Sequence, residues 1–106
     1  MLDPQMKRGL LDTCILSALS RGDSYGYQLI RDLADCVAIS ESTLYPILRR
    51  LETAGCLEVY SVEHNFRLRK MYKLTPTGAQ QIESFLESWP EVEKMYNYIR
   101  EGKNHE

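Results

Sequence analysis

Ser42, Thr43, Tyr45 and Arg49 fall within one short stretch of the chain, and a second group, Arg67, Arg69 and Lys70, follows it. Hydroxyl and guanidinium groups of this kind suit phosphate oxygens and base edges. At about 100° per residue, Leu44, Ile47, Leu48 and Leu51 form one apolar stripe, and Ser42, Tyr45, Pro46 and Arg49 point away from it. The competing reading is an ordinary solvated helix face, where a large aromatic such as Tyr45 is out of place. On an extended strand Arg67 and Arg69 share one side, which suits a phosphate backbone or the minor groove. The competing reading there is a charged edge that discourages sheet aggregation.

Catalytic chemistry finds no comparable set. The two histidines are His64, expected in a hairpin tip, and His105, in the tail, with no nucleophile and orienting acid assembled around either. Gly-rich phosphate loops and metal-ligand spacings are missing from the sequence, so no metal or cofactor is expected. Cys14, Cys36 and Cys56 are odd in number and widely spaced, unlike a disulfide framework or a metal site. Cys14 and Cys36 fall at core-type helical positions, so all three read as plain buried thiols; a redox-sensing thiol is the other reading.

At 106 residues the chain can bury one modest core. Its net charge of −2 is unusual for a nucleic-acid binder, yet the charge is unevenly placed. From Arg49 to Lys73 there are six Lys/Arg against three acids, and from Glu83 to Glu106 six acids against three bases. Counterion release depends on the charges that touch phosphate, so a local basic surface suffices. No apolar run approaches the roughly 20 residues of a membrane span, and no signal-peptide pattern opens the chain. A cytoplasmic protein is expected.

The elements that must position these groups follow from periodicity. Lys7 to Ser20 reads as a helix with Leu11, Cys14, Ile15, Ala18 and Leu19 on one stripe. Met6, Leu10, Thr13, Leu16 and Ser17 lie on another face. Ser24 is the expected cap of a second helix over about Tyr25–Cys36. A third begins near Ser40 or Ser42 and ends at Gly55, with Pro46 in conflict with its interior unless Ser42 is the cap. Leu57–Glu63 and Lys70–Thr75 read as strands joined by a tip over 64–69. Thr75 caps a long final helix with Pro76 at its first position, and Ser88-Trp89-Pro90-Glu91 marks a possible kink or restart.

That last helix carries Ile82, Phe85, Leu86, Trp89, Val92, Tyr96 and Ile99 on one stripe, more than a small core can cover. A second copy of the chain is the expected partner. Met6 and Leu10 of the first helix with Phe85, Leu86, Trp89, Tyr96 and Ile99 form the expected dimer interface. Trp89 reads either as interface packing or as the wall of a cavity at the dimer centre.

In chain order, DPQMKRG at 3–9, YGYQL at 25–29, S-x-S-TLYPILRRLE at 40–52, GCL at 55–57 and KMYKLTPTG at 70–78 resemble the PadR family of transcriptional regulators. With the last helix these pieces cover about residues 3–100, in the short branch with a single C-terminal helix. The resemblance implies a homodimer with the third helix in the major groove and the hairpin as a wing. Ser42, Thr43, Tyr45 and Arg49 take recognition-helix positions, and Tyr25 and Tyr27 belong to the second-helix motif. FLESWPEVEK at 85–94 further resembles the multidrug-binding members, in which paired tryptophans sandwich flat aromatic drugs. Trp89 falls on that tryptophan, with Thr13, Leu16, Ser17, Val92 and Glu93 around the same pore. Glu93 would attract a cationic drug and Trp89 would stack on it. The tip HNFRLRK departs from the family's Gly/Pro-rich wing.

The expected fold is therefore α+β and mostly α. A winged helix-turn-helix over residues 1–75 is followed by a dimerisation helix over 76–100 and a tail over 101–106. The expected function is a non-enzymatic, homodimeric repressor. It would bind an inverted-repeat operator in double-stranded DNA and be released by a small aromatic or cationic ligand, with no membrane partner. The alternative is a winged-helix module that docks proteins and not DNA.

Overall fold

The Asp3-Pro4 pair starts the first helix. In a computed structural model, which describes residues 2–105, the Asp3 carboxylate accepts the Gln5 N–H at 2.8 Å and Pro4 takes the first helical position. Helix α1 is therefore Pro4–Ser20, one turn longer than the expected start at Lys7. It ends at Arg21-Gly22, where Gly22 has φ 147°. Leu11, Ile15, Leu16 and Leu19 are buried.

Helix α2 is Gly26–Leu33. Ser24 does not cap it. Its backbone instead exchanges two hydrogen bonds with Tyr72, at 3.1 and 2.7 Å, so the turn adds a short rung beside the second strand. The helix stops short of Cys36 because the Cys36 and Val37 N–H groups both turn back to the Leu33 carbonyl, at 2.9 and 2.7 Å. Cys36 is consequently exposed, against the expectation of a buried thiol.

Helix α3, Glu41–Thr53, is capped by Ser40, whose hydroxyl accepts the Thr43 N–H at 3.4 Å. Pro46 then lies beyond the first turn, yet the helix runs through it. The bond it forgoes is on the exposed face, and burial of Leu44, Ile47, Leu48 and Leu51 on the other face outweighs it. Gly55, at φ 78°, ends the helix in a Schellman motif: its N–H reaches the Glu52 carbonyl and the Cys56 N–H the Leu51 carbonyl, both at 2.9 Å.

Strands β1 (Leu57–His64) and β2 (Arg67–Leu74) pair antiparallel, from Leu57 opposite Leu74 to His64 opposite Arg67. The turn is only Asn65-Phe66, with φ 51° and 64°, as a two-residue type I′ hairpin demands. Arg67 to Arg69 therefore belong to the strand and not to a long tip. Leu57 and Tyr72 close the core at the base of the wing.

Helix α4 is Pro76–Lys103. Thr75 fixes its start: the hydroxyl accepts the Gly78 N–H at 3.1 Å and donates to the Gly55 carbonyl at 2.6 Å. The helix does not restart at Pro90 but continues to Lys103, past the point where a tail is expected. Ile82 packs on the core, whereas Leu86 and the apolar residues beyond it are exposed. The protein spans 64 Å along its longest axis as a result. The observed α1-α2-α3-β1-β2-α4 order is a winged helix with a long C-terminal helix. No helix among the described residues is long and apolar enough to cross a membrane.

Candidate nucleic-acid interface

The N-terminus of α3 gathers hydroxyls. Ser40 Oγ lies 3.0 Å from Ser42 Oγ and 3.2 Å from Thr43 Oγ1, at the end where the helix dipole favours negative charge. Ser42 and Thr43 are exposed. One helical step on, Arg49 is exposed and has no carboxylate within salt-bridge distance among the described residues. Its neighbour Arg50 reaches back to the Asp12 carboxylate of α1 and so binds α3 to the body. The two adjacent arginines thus differ: one anchors α3, and the other has no acidic partner among the described residues.

Tyr45 does not simply face solvent. Its ring lies across the first turn of α2, over Gly26, where any Cβ would collide with the phenol and stand 2.8 Å from Cζ. The residue retains 36% exposure. Gly26 is therefore needed for close approach of α2 and α3, and the Tyr45 edge remains available at their junction.

On the face opposite Leu57 and Tyr72, two further contacts tie the wing to the body. The Arg69 guanidinium stacks on the Tyr25 ring, 3.9 Å from its centroid. On the same face the Tyr60 hydroxyl donates to Asp23 Oδ2 at 2.6 Å, and this bond pushes the Tyr60 phenol above its ordinary pKa. Arg69 is half-buried as a strut, while Arg67 and Lys70 are exposed without an acidic partner among the described residues. Burial raises the Tyr72 phenol, with Tyr45 and Glu52 adding to the effect and Arg49 opposing it. Tyr27 is exposed beside Arg31, whose guanidinium is 5.9 Å from its ring centroid.

The expected effector residues separate into two places. Trp89, Val92 and Glu93 line an apolar groove of about 590 Å³ with Met6, Met95, Tyr96 and Ile99. Trp89 is 43% exposed, and its ring is tilted against Phe85 with centroids 5.8 Å apart. Leu16 is fully buried in the core and cannot line that groove; the second face of α1 is turned inward at this position. Ser17 lines a different cavity between α1 and α2, together with Cys14 and Cys36, and Thr13 is half-buried. Of the expected interface residues, Met6, Leu86, Tyr96 and Ile99 are exposed, while Leu10 and Phe85 are half-buried.

Sequence reading missed Gly26, Asp23, Asp12 and Met95. A glycine between two tyrosines at a helix start was the one local sign of close approach. The Asp23–Tyr60 and Asp12–Arg50 pairs join residues far apart in the chain, and no local pattern marks them.

Residues 15–84 match the family described as transcriptional regulator PadR-like. A transcriptional regulator from Clostridium thermocellum shares 34% identity over 92% of this chain and 96% of its own, with a TM-score of 0.81. A PadR family transcriptional regulator from Eggerthella lenta shares 33% over 92% and 87%, with a TM-score of 0.82. Bacillus subtilis PadR in complex with operator DNA shares 26% over 72% of this chain and 46% of that one, with a TM-score of 0.66. This chain belongs to the PadR-like family of transcriptional regulators.

Proposed function

We propose that this regulator is a homodimeric repressor that acts in the cytoplasm, binding an inverted-repeat operator in double-stranded DNA. Its α3 enters the major groove and its wing lies alongside. The observation that carries the reading is the division of charge on α3. Arg50 is tied to Asp12, whereas Arg49 stands exposed on the helix that carries the Ser42 and Thr43 hydroxyls, with no acidic partner at salt-bridge distance among the described residues. Arg49 suits a guanine edge or a phosphate, and Arg67 and Lys70 suit the adjacent backbone. The operator complex of the Bacillus subtilis relative supports the same use of the fold.

The dimer is formed through α4, as in the short branch of the family with one C-terminal helix. The exposed stripe of Leu86, Trp89, Val92, Met95, Tyr96 and Ile99 has no core of its own to cover, and a second copy supplies a matching apolar surface. Two copies then place their α3 helices about one turn of DNA apart, or a multiple of it. The groove beside Trp89, with Glu93 on its wall, is the seat of a flat aromatic or cationic effector that releases the operator.

Titration of fluorescent promoter DNA, including the regulator's own promoter, tests the DNA reading. Arg49→Ala with Arg67→Ala removes four arginines from the dimer, and should weaken binding and lower the slope of log K against log salt by up to about 4, roughly one per lost phosphate contact. Absence of binding at low salt by the pure protein would sink it, and leave the protein-docking alternative. For the effector, planar cationic dyes should quench the single tryptophan, Trp89. A confirmed dimer whose fluorescence does not respond would refute that assignment.

A further inference from the structure

Packing of α1 on α2 brings together two cysteines that are far apart in the chain. Cys14 lies in the middle of α1, and Cys36 lies in the turn that follows α2. Both line one cavity of about 420 Å³, with Ser17, Arg21, Asp32 and Leu33 among its other walls. Cys36 is exposed and Cys14 half-buried, so an oxidant from solvent reaches Cys36 first. Burial raises the Cys14 thiol above its ordinary pKa, and the neighbouring Cys36 raises it further. Both residues open onto the same cavity. Cys56 differs: it is buried, and its thiol donates to Gln81 Oε1 at 3.0 Å.

We infer that Cys14 and Cys36 form a dithiol site that a hydroperoxide oxidises to an intramolecular disulfide. The Cys36 thiolate attacks the terminal peroxide oxygen. The O–O bond breaks, hydroxide or alkoxide leaves, and Cys36 becomes a sulfenic acid. The Cys14 sulfur then attacks the Cys36 sulfur, the S–O bond breaks, and water departs with the Cys14 proton. Two electrons pass from the thiol pair to the peroxide, which is reduced to water or to water and an alcohol. The exposed thiol is the one that meets oxidant, and the half-buried one resolves it as it gives up its proton. The new bond would fasten α1 to the end of α2, the helix whose first turn seats Tyr45. The site stands independently of the DNA reading.

Mass spectrometry of the reduced, full-length protein treated with hydrogen peroxide at low concentration tests this. Trypsin cleaves after Arg8, Arg21, Arg31 and Arg49, so Cys14 and Cys36 fall in separate peptides, 9–21 and 32–49. The expected result is a monomer lighter by two hydrogens, a non-reduced digest containing those peptides joined, and Cys56 still alkylatable after unfolding. Cys14→Ser should instead accumulate a dimedone-reactive sulfenic acid at Cys36, and Cys36→Ser should leave Cys14 reduced. The assignment is overturned if peroxide yields only links between Cys36 residues of two chains. It is equally overturned if Cys36 is over-oxidised in the wild type without loss of Cys14, or if neither thiol reacts.

Discussion

Replacing Gly78 with alanine should destabilise the protein even though alanine is the better helix former. Gly78 sits in the first turn of α4, and a Cβ there would overlap the Cys56 carbonyl oxygen and lie 2.6 Å from Leu74 Cδ1. Leu74 can adjust, but the carbonyl is backbone, so the start of α4 must retreat by about 1 Å to restore contact distance. That shift strains two bonds made by Thr75, its N–H to the Cys56 carbonyl at 3.2 Å and its hydroxyl to the Gly55 carbonyl at 2.6 Å. Helix propensity returns about 1 kcal/mol. Overpacking costs about 1–3 kcal/mol, and each weakened hydrogen bond about 1 kcal/mol. The net loss is about 3 kcal/mol, or a fall in Tm of roughly 12–24 °C for a domain of this size. Gly102→Ala is the control, since it lies in the same helix with nothing within 4 Å of its added Cβ. Thermal and urea unfolding at one fixed protein concentration measure both variants. A Gly78→Ala protein as stable as Gly102→Ala would refute the close approach between α4 and the α3–β1 turn.

Other expectations concern the wing and the helix junction. Phe66→Gly should raise stability by about 1 kcal/mol, because φ 64° costs an L side chain and the ring, 98% exposed, has no contact to lose; a fall in denaturation midpoint would show an intramolecular partner for it. Gly26→Ala should cost about 1–3 kcal/mol by displacing the Tyr45 ring, and much of that should return when Tyr45→Ala is added. Additive effects in that cycle would contradict the seat described. Tyr60 and Tyr72 both have raised pKa values when folded, so the folded chain keeps protons that the unfolded chain releases above about pH 10. Their stabilisation is complete below that pH and lost as pH rises through the folded values; Tyr60→Phe should flatten this alkaline decline in Tm, and an unchanged decline would argue against the Asp23 bond.

The helical core was legible because it depends on spacing. Leu11, Ile15 and Leu19 recur along α1, and Leu44, Ile47, Leu48 and Leu51 along α3, each on one face, and each is buried. The wing was legible as two strands, but its tip was not. Asn65-Phe66 makes a turn that normally announces itself through glycine, and the Phe concealed it. Proline misled in the other direction. Pro46 and Pro90 are both exposed and sit inside unbroken helices, where a lost hydrogen bond on a wet face is tolerable. Within the candidate interface, Arg49 and Arg67 have no acidic partner among the described residues, whereas Arg69 and Tyr45 also hold elements together. That second duty comes from residues remote in sequence, Tyr25 and Gly26, and periodicity cannot register it. For the same reason Leu16 was assigned to a pore when it belongs to the core.

Helix α4 has the geometry of a lever. Its 28 residues extend about 42 Å; Gly78, Gln81 and Ile82 near one end pack on the winged domain, while farther out Met6 of α1 shares the groove beside Trp89. In a dimer fastened along the far portion, a tilt of about 5° at this fulcrum would move a reading head by about 3.7 Å. One base-pair step is about 3.4 Å. A rotation smaller than most domain closures would thus put one half-site out of register with the other. The pivot and the apolar groove beside Trp89 lie on the same helix, so in such a dimer a ligand filling that groove would act on the long arm.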